Sequence, residues 1–205
     1  MSSPAWDLQQ SDDLVTIRTL AVRFVLRLVG DRWVHEIAPT DGTAWLASIE
    51  SGTEDDPERV VSPVYQEIHH HDFDDDESRV RLLLTGLHHR HHFSAVVTVS
   101  VEAQGATTIE FDVADRCRDT VSSLAATYEV SLGVGDLDGA SDQQARWTSP
   151  SGELALSVLD GSRLLLADKG PRATQAQVLA ALSAEGFTHR LRYGWTWASA
   201  SGRTR

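Results

Sequence analysis

The stretch Phe93-Ser94-Ala95-Val96-Val97-Thr98-Val99-Ser100-Val101-Glu102-Ala103-Gln104-Gly105-Ala106-Thr107-Thr108-Ile109-Glu110-Phe111-Asp112-Val113 decides the fold. Successive side chains of an extended chain point to opposite sides, so Phe93, Ala95, Val97, Val99 and Val101 share one face. Ser94, Val96, Thr98, Ser100 and Glu102 share the other. Ile109, Phe111 and Val113 repeat the pattern, with Thr108, Glu110 and Asp112 opposed to them, and the short connection holds Gly105. Pairing Val101 with Thr107 sets Val99 against Ile109, Val97 against Phe111 and Ala95 against Val113. Every inward pair is then apolar on apolar. A slip of one residue would turn the whole set to solvent, so the register is specified.

The same alternation extends outward in both directions. Val22, Phe24, Leu26 and Leu28 share a face, Gly30-Asp31 suits a tight turn, and Trp33, His35 and Ile37 return on that face. Strands are also predicted at 63–70, around Val80–Leu84 and at 126–132, with a polar loop at 51–58. The segment from Gly133 to Gln144, rich in Gly, Asp and Ser, reads as a linker or long loop. Beyond it Leu154, Leu156 and Val158 form a strand face, Asp160-Gly161 signals a hairpin, and Leu164 and Leu166 continue it. Thr174 and Gln177 have capping-box spacing, Gly186 sits where a helix would stop, and Val178, Leu179 and Leu182 make a stripe, which together predict a helix over 174–185. A last strand places Leu191, Tyr193, Trp195 and Trp197 on one face, packed on that helix rather than exposed as an aromatic platform. The expected fold class is α+β, predominantly antiparallel β. It has a sandwich or open barrel over 13–132 and a C-terminal β-β-α-β unit over 145–200 packed against it, as a second unit or as part of a single domain.

Composition narrows the function classes. The 205 residues carry 18 Lys plus Arg against 30 Asp plus Glu, a formal charge of −12. Such a balance argues against a nucleic-acid partner, which needs clustered cations, and against an anionic membrane surface. No apolar run reaches the ~20 residues of a membrane-spanning helix, and no secretory signal is seen at the start. A single cysteine forms no internal disulfide, so the expected compartment is the cytoplasm. Phosphate-binding glycine loops and the serine-hydrolase elbow are absent.

The candidate chemistry lies in two histidine segments, His69-His70-His71-Asp72 and His88-His89-Arg90-His91-His92. Imidazoles two apart on a strand point to one side and share a divalent metal readily. His69 with His71, and His89 with His91, have that spacing. A three-strand meander would place the two segments at opposite poles, leaving about two imidazoles at each, short of a tetrahedral set. Glu110 and Asp112 are a carboxylate pair of the kind used in glycosidic hydrolysis, but nothing apolar surrounds them to raise a pKa. Cys117, between Arg116 and Arg118, is a nucleophile candidate without a placed histidine partner. His35 shares the face of Phe24, Leu26 and Trp33 and is expected at the core edge.

The expected function is therefore a non-catalytic intracellular binding or interaction module for a protein or small ligand, without a cofactor. The alternative is a divalent-metal-binding protein or metal-dependent enzyme holding zinc or another transition metal on His69, His71, Asp72, His89 and His91. A hydrolase built on Cys117, or on Glu110 and Asp112, is a third possibility.

Overall fold

The computed structural model describes residues 5–40, 42–50, 56–71, 78–102, 105–131, 134–168, 173–183 and 186–200, with the side chains of His71 and Ala173 outside that description. In chain order the strands are β1 (Asp7–Gln10), β2 (Leu14–Arg18), β3 (Val22–Val29), β4 (Arg32–Pro39), β5 (Leu46–Ser48), β6 (Arg59–Val60), β7 (Glu67–His71), β8 (Arg79–His88), β9 (His91–Val101), β10 (Thr107–Arg116), β11 (Ser123–Ser131), β12 (Asp136–Ala140), β13 (Gln144–Ser149), β14 (Gly152–Leu159), β15 (Arg163–Asp168), β16 (Ala173–Leu179) and β17 (Thr188–Ser199). They form two sheets. The first runs β1-β2-β3-β4-β5-β11-β16-β15, with β6 beside β11. The second runs β12-β13-β14-β17-β10-β9-β8-β7. Pairing is antiparallel except for the two-residue parallel contact of β6 with β11.

The β9–β10 hairpin has the register that its alternation specifies: Thr107 faces Val101, Ile109 faces Val99, Phe111 faces Val97 and Val113 faces Ala95. In the first hairpin Phe24 faces Ile37, Leu26 faces His35 and Leu28 faces Trp33. Both two-residue turns use left-handed backbone, at Gly30 (φ 65°) and at Asp160-Gly161 (φ 54° and 75°), which suits the twist of the flanking strands. The inner faces close on one core. Phe24 meets Phe111 edge-on at 6.0 Å and Trp45 lies 4.1 Å from Trp197 between ring centroids. Tyr128 and Tyr193 join hydroxyls across the gap at 2.6 Å.

The expected helix over 174–185, and with it the α+β class and the C-terminal β-β-α-β unit, is corrected: no helical element occurs among the described residues, and the fold is a two-sheet β structure. The segment is β16, an interior strand hydrogen-bonded to β11 on one side and β15 on the other. Thr174, Ala176 and Val178 are buried and alternate with half-buried Gln175 and Gln177, a period of two rather than of 3.6. A helix there would leave ladder groups of β11 and β15 unpaired, a cost larger than a cap and a stripe return. Accordingly the Leu191, Tyr193, Trp195 and Trp197 face packs across the sandwich on the first sheet, not on a helix. The strands after residue 145 are shared between the sheets: β17 lies between β10 and β14, while β15 and β16 extend the first sheet. The stretch expected as a linker contains β12, a wholly exposed edge strand paired with β13.

One glycine is required by close approach. At Gly86 on β8 a Cβ would stand 2.1 Å from the Val64 carbonyl oxygen. The bare backbone there lets the 64–65 segment cross the inner face, where the Tyr65 carbonyl accepts a hydrogen bond from Trp33 N at 2.7 Å.

Candidate functional site at the histidine-rich pole

The β7–β8 and β8–β9 registers set the two histidine segments apart along β8, the first beside its middle and the second at its last residue. His69 faces Leu83 and His71 faces Arg81, whereas His88 faces His91. Leu83 and His88 are five residues apart, about 16 Å along a strand. His69 is exposed with its Nε2 3.5 Å from Glu67, and Asp72 lies outside the described residues. Among the described residues no group of three or more His, Cys, Asp or Glu is placed to hold a metal ion.

The second segment is a tight turn, and the turn undoes the i, i+2 relation expected of His89 and His91. His89 takes left-handed backbone (φ 52°) and is exposed, while His91 opens β9 pointing inward, 2% exposed. His91 Nδ1 lies 2.8 Å from Asp115 Oδ2 and Nε2 lies 2.7 Å from the Pro57 carbonyl oxygen. Both acceptors call for an N–H, so the imidazole is held as a doubly protonated cation between them. Burial alone would depress its pKa. The hydrogen bonds to Asp115 and Pro57 and the charges of Asp115 and Asp119 outweigh that effect and raise it. Neither nitrogen keeps a lone pair for a metal.

This clamp also decides the chemistry of Cys117. Its sulfur is 4.0 Å from His91 Nε2, so cysteine, histidine and aspartate stand in sequence as in a thiol-hydrolase triad. The imidazole, however, donates to a backbone carbonyl where such a base must accept a proton. Burial pushes the Cys117 thiol pKa up, and the Asp115 and Asp119 charges add to this against the weaker pull of a backbone hydrogen bond and Arg90. A buried thiol with a raised pKa and no available base is unreactive. The pair is structural: His91 fastens Pro57, and the neighbouring Glu58 carbonyl accepts from Ser122 N at 2.8 Å, which together tie the 56–60 segment to β9 and to the start of β11. Asp115 Oδ1 and His189 Nδ1, register neighbours on β10 and β17, are buried without a hydrogen-bond partner among the described residues.

The carboxylate pair is likewise committed. On the outer face of the second sheet Arg190 grips Asp112 through two nitrogens, and Arg192 meets Glu110 at 2.7 Å and Asp160 at 3.0 Å. The Arg190 hydrogen bond holds the Asp112 carboxyl below its usual range, opposite to what a general acid needs. His35 lies between the sheets, its Nε2 2.8 Å from Tyr128 Oη and its ring 5.0 Å from Phe111. Burial depresses its pKa to about 3, so it stays neutral and packs as an aromatic.

Three cavities open around the Cys117–Thr120 loop. One, about 490 Å³, touches Pro57, His89, Arg90, His91, Cys117 and Arg118. A second, about 590 Å³, is lined by Leu87, His89, Arg90, His92, Arg116 and Arg118. A third, about 510 Å³, lies between that loop and the segment of Phe187 and His189. Arg118 borders all three. No known protein-family model matches this sequence, and no curated protein matches it either.

Proposed function

We propose that this chain is a non-catalytic binding module that takes a small ligand at the histidine-rich pole. The observation that carries this reading is the convergence of three cavities on one loop, all bordered by Arg118, at volumes typical of ligand sites. The reactive side chains nearby are already committed: His91 to Asp115 and Pro57, and the Cys117 thiol to burial. A lining whose reactive groups are already committed favours holding a ligand over transforming it. The acidic composition weighs against nucleic acid as the partner. The single, unpaired, buried cysteine accords with a cytoplasmic setting.

The test is a small-molecule screen read by backbone amide shifts. Ligands are expected to move the amides of residues 87–92 and 116–120 and to be recovered unchanged. Turnover of a bound compound would overturn the non-catalytic reading. A screen that leaves those amides unmoved would overturn the site, and stoichiometric zinc or nickel uptake would replace it with the metal reading.

A further inference from the structure

The second of those cavities carries a more specific inference, which rests on the binding-module reading. Leu87 on β8, His92 on β9 and Arg116 on β10 are direct neighbours in register, Leu87 facing His92 and His92 facing Arg116. All three are exposed, on the outer face of the second sheet. The β8–β9 turn adds His89 and Arg90, and the chain leaving β10 adds Arg118. Three guanidinium and two imidazole groups thus border one cavity with no carboxylate among its described lining, in a chain where acids outnumber Lys and Arg by 30 to 18.

The contrast along β10 sharpens the point. Glu110, Asp112 and Arg116 share its outer face. At Glu110 and Asp112 every arginine is answered by a carboxylate, Arg190 by Asp112 and Arg192 by Glu110 and Asp160. The side chains of Arg116 and Arg118 have no hydrogen bond or ion pair among the described residues, and that of Arg90 has only the exposed Asp119 at 3.0 Å. Like charges gathered without counter-charges repel, and an oxyanion relieves that repulsion. One carboxylate satisfies one arginine fork, whereas a phosphate offers three terminal oxygens and nearly two charges to several forks. A cavity of about 590 Å³ exceeds what inorganic phosphate fills, and half-exposed Leu87 supplies an apolar wall. The net charge of −12 disfavours approach to an anionic membrane surface, which points to a soluble molecule. We propose that the ligand is a small organic phosphate, its phosphate held among Arg90, Arg116 and Arg118 and its apolar body laid on Leu87.

The experiment is calorimetric titration with phenyl phosphate and inorganic pyrophosphate at low ionic strength, with phenol and benzoate as the uncharged and carboxylate counterparts. Phenyl phosphate is expected to bind the wild-type chain and to weaken with added salt. It should bind Arg116→Gln and Arg118→Gln each at least about tenfold more weakly, and Arg163→Gln, on the far edge of the first sheet, unchanged. Arg116 and Arg118 are exposed, so unaltered thermal unfolding checks that the variants fold. No binding of either phosphate, or equal affinity in the Arg116 and Arg118 variants, overturns the proposal. Phenol or benzoate moving the pole amides while phosphates do not would overturn the phosphate and leave the binding site standing. If none of the four moves those amides, and the screen above does not either, both readings fail.

Discussion

Acidification should destabilise this protein through one buried residue, His35. Its ring sits between the sheets among Phe24, Phe111 and Tyr128, and its pKa falls from the usual 6.5 to about 3. The unfolded chain binds this proton at 6.5 and the folded chain refuses it until about 3. The His35 contribution is therefore fully present above about pH 6.5 and is lost progressively on the way down. The slope is about 1.4 kcal/mol per pH unit, so roughly 2 kcal/mol is gone at about pH 5. Against a typical ~5–15 kcal/mol for a whole domain that is a large share. The window belongs to His35. His91, whose pKa is raised, is protonated in both states there, and the depressed Asp112 loses its contribution only below the ordinary aspartate value of 3.8. Urea unfolding of the wild type and of His35→Gln across this range is the assay, because glutamine does not titrate yet can still meet Tyr128 Oη. The variant should be weaker at neutral pH but nearly flat where the wild type slopes, and the His35 ring should stay neutral by NMR at about pH 4.5. Parallel slopes, or an imidazole titrating near 6.5, would refute the reasoning.

Three other outcomes follow from the same geometry. His91 runs the other way: its stabilisation is complete below about 6.5 and is lost as pH rises through its raised folded value, so the urea deficit of His91→Gln should shrink as the pH climbs. Cys117, 1% exposed with its thiol pKa pushed up by burial, should react with iodoacetamide orders of magnitude more slowly in the native protein than in urea. Gly86→Ala drives a Cβ into the Val64 carbonyl and should cost about 3 kcal/mol, the upper end for overpacking, read as a lowered urea midpoint.

The parts of the fold that were legible are those where one periodicity stood alone. In β9 and β10 the inward positions from Phe93 to Val99 and from Ile109 to Val113 are all apolar and a slipped register is penalised, so the pairing followed from the residues. In β16 two periodicities overlapped. Thr174, Gln177, Val178 and Leu182 satisfy a helical spacing, and Thr174, Ala176 and Val178 satisfy a strand spacing in the same stretch. Intrinsic preference leans to helix for Ala and Gln, but the deciding interaction is the ladder offered by β11, some fifty residues earlier in the chain. Local pattern carries no information about that partner. The same holds for β12, whose exposed Asp and Gly residues form a strand because β13 supplies an edge.

The site divides along a similar line. Extending the β9–β10 register two residues past Val113 and Ala95 sets Asp115 against Phe93. That places an inward acid beside the next inward residue of β9, His91, so half of the clamp was within reach of the alternation argument. The other half was not, because Pro57 arrives from a loop with no periodicity and offers only a carbonyl. The cationic cavity was hidden for a different reason. Net charge is an average, and −12 conceals a corner where Arg90, Arg116 and Arg118 gather with Asp119, on Arg90, as the one carboxylate paired to them among the described residues. Arg116 and Arg118 flank Cys117 in sequence beside Asp115 and Asp119, which suggests local neutralisation. The strand resolves it otherwise: Asp115 turns inward to His91 and is spent there, while both arginines turn outward. Alternation, which built the sheet, thus also separates the charges. An acidic protein acquires a basic cleft because the residue that would have balanced it is needed inside.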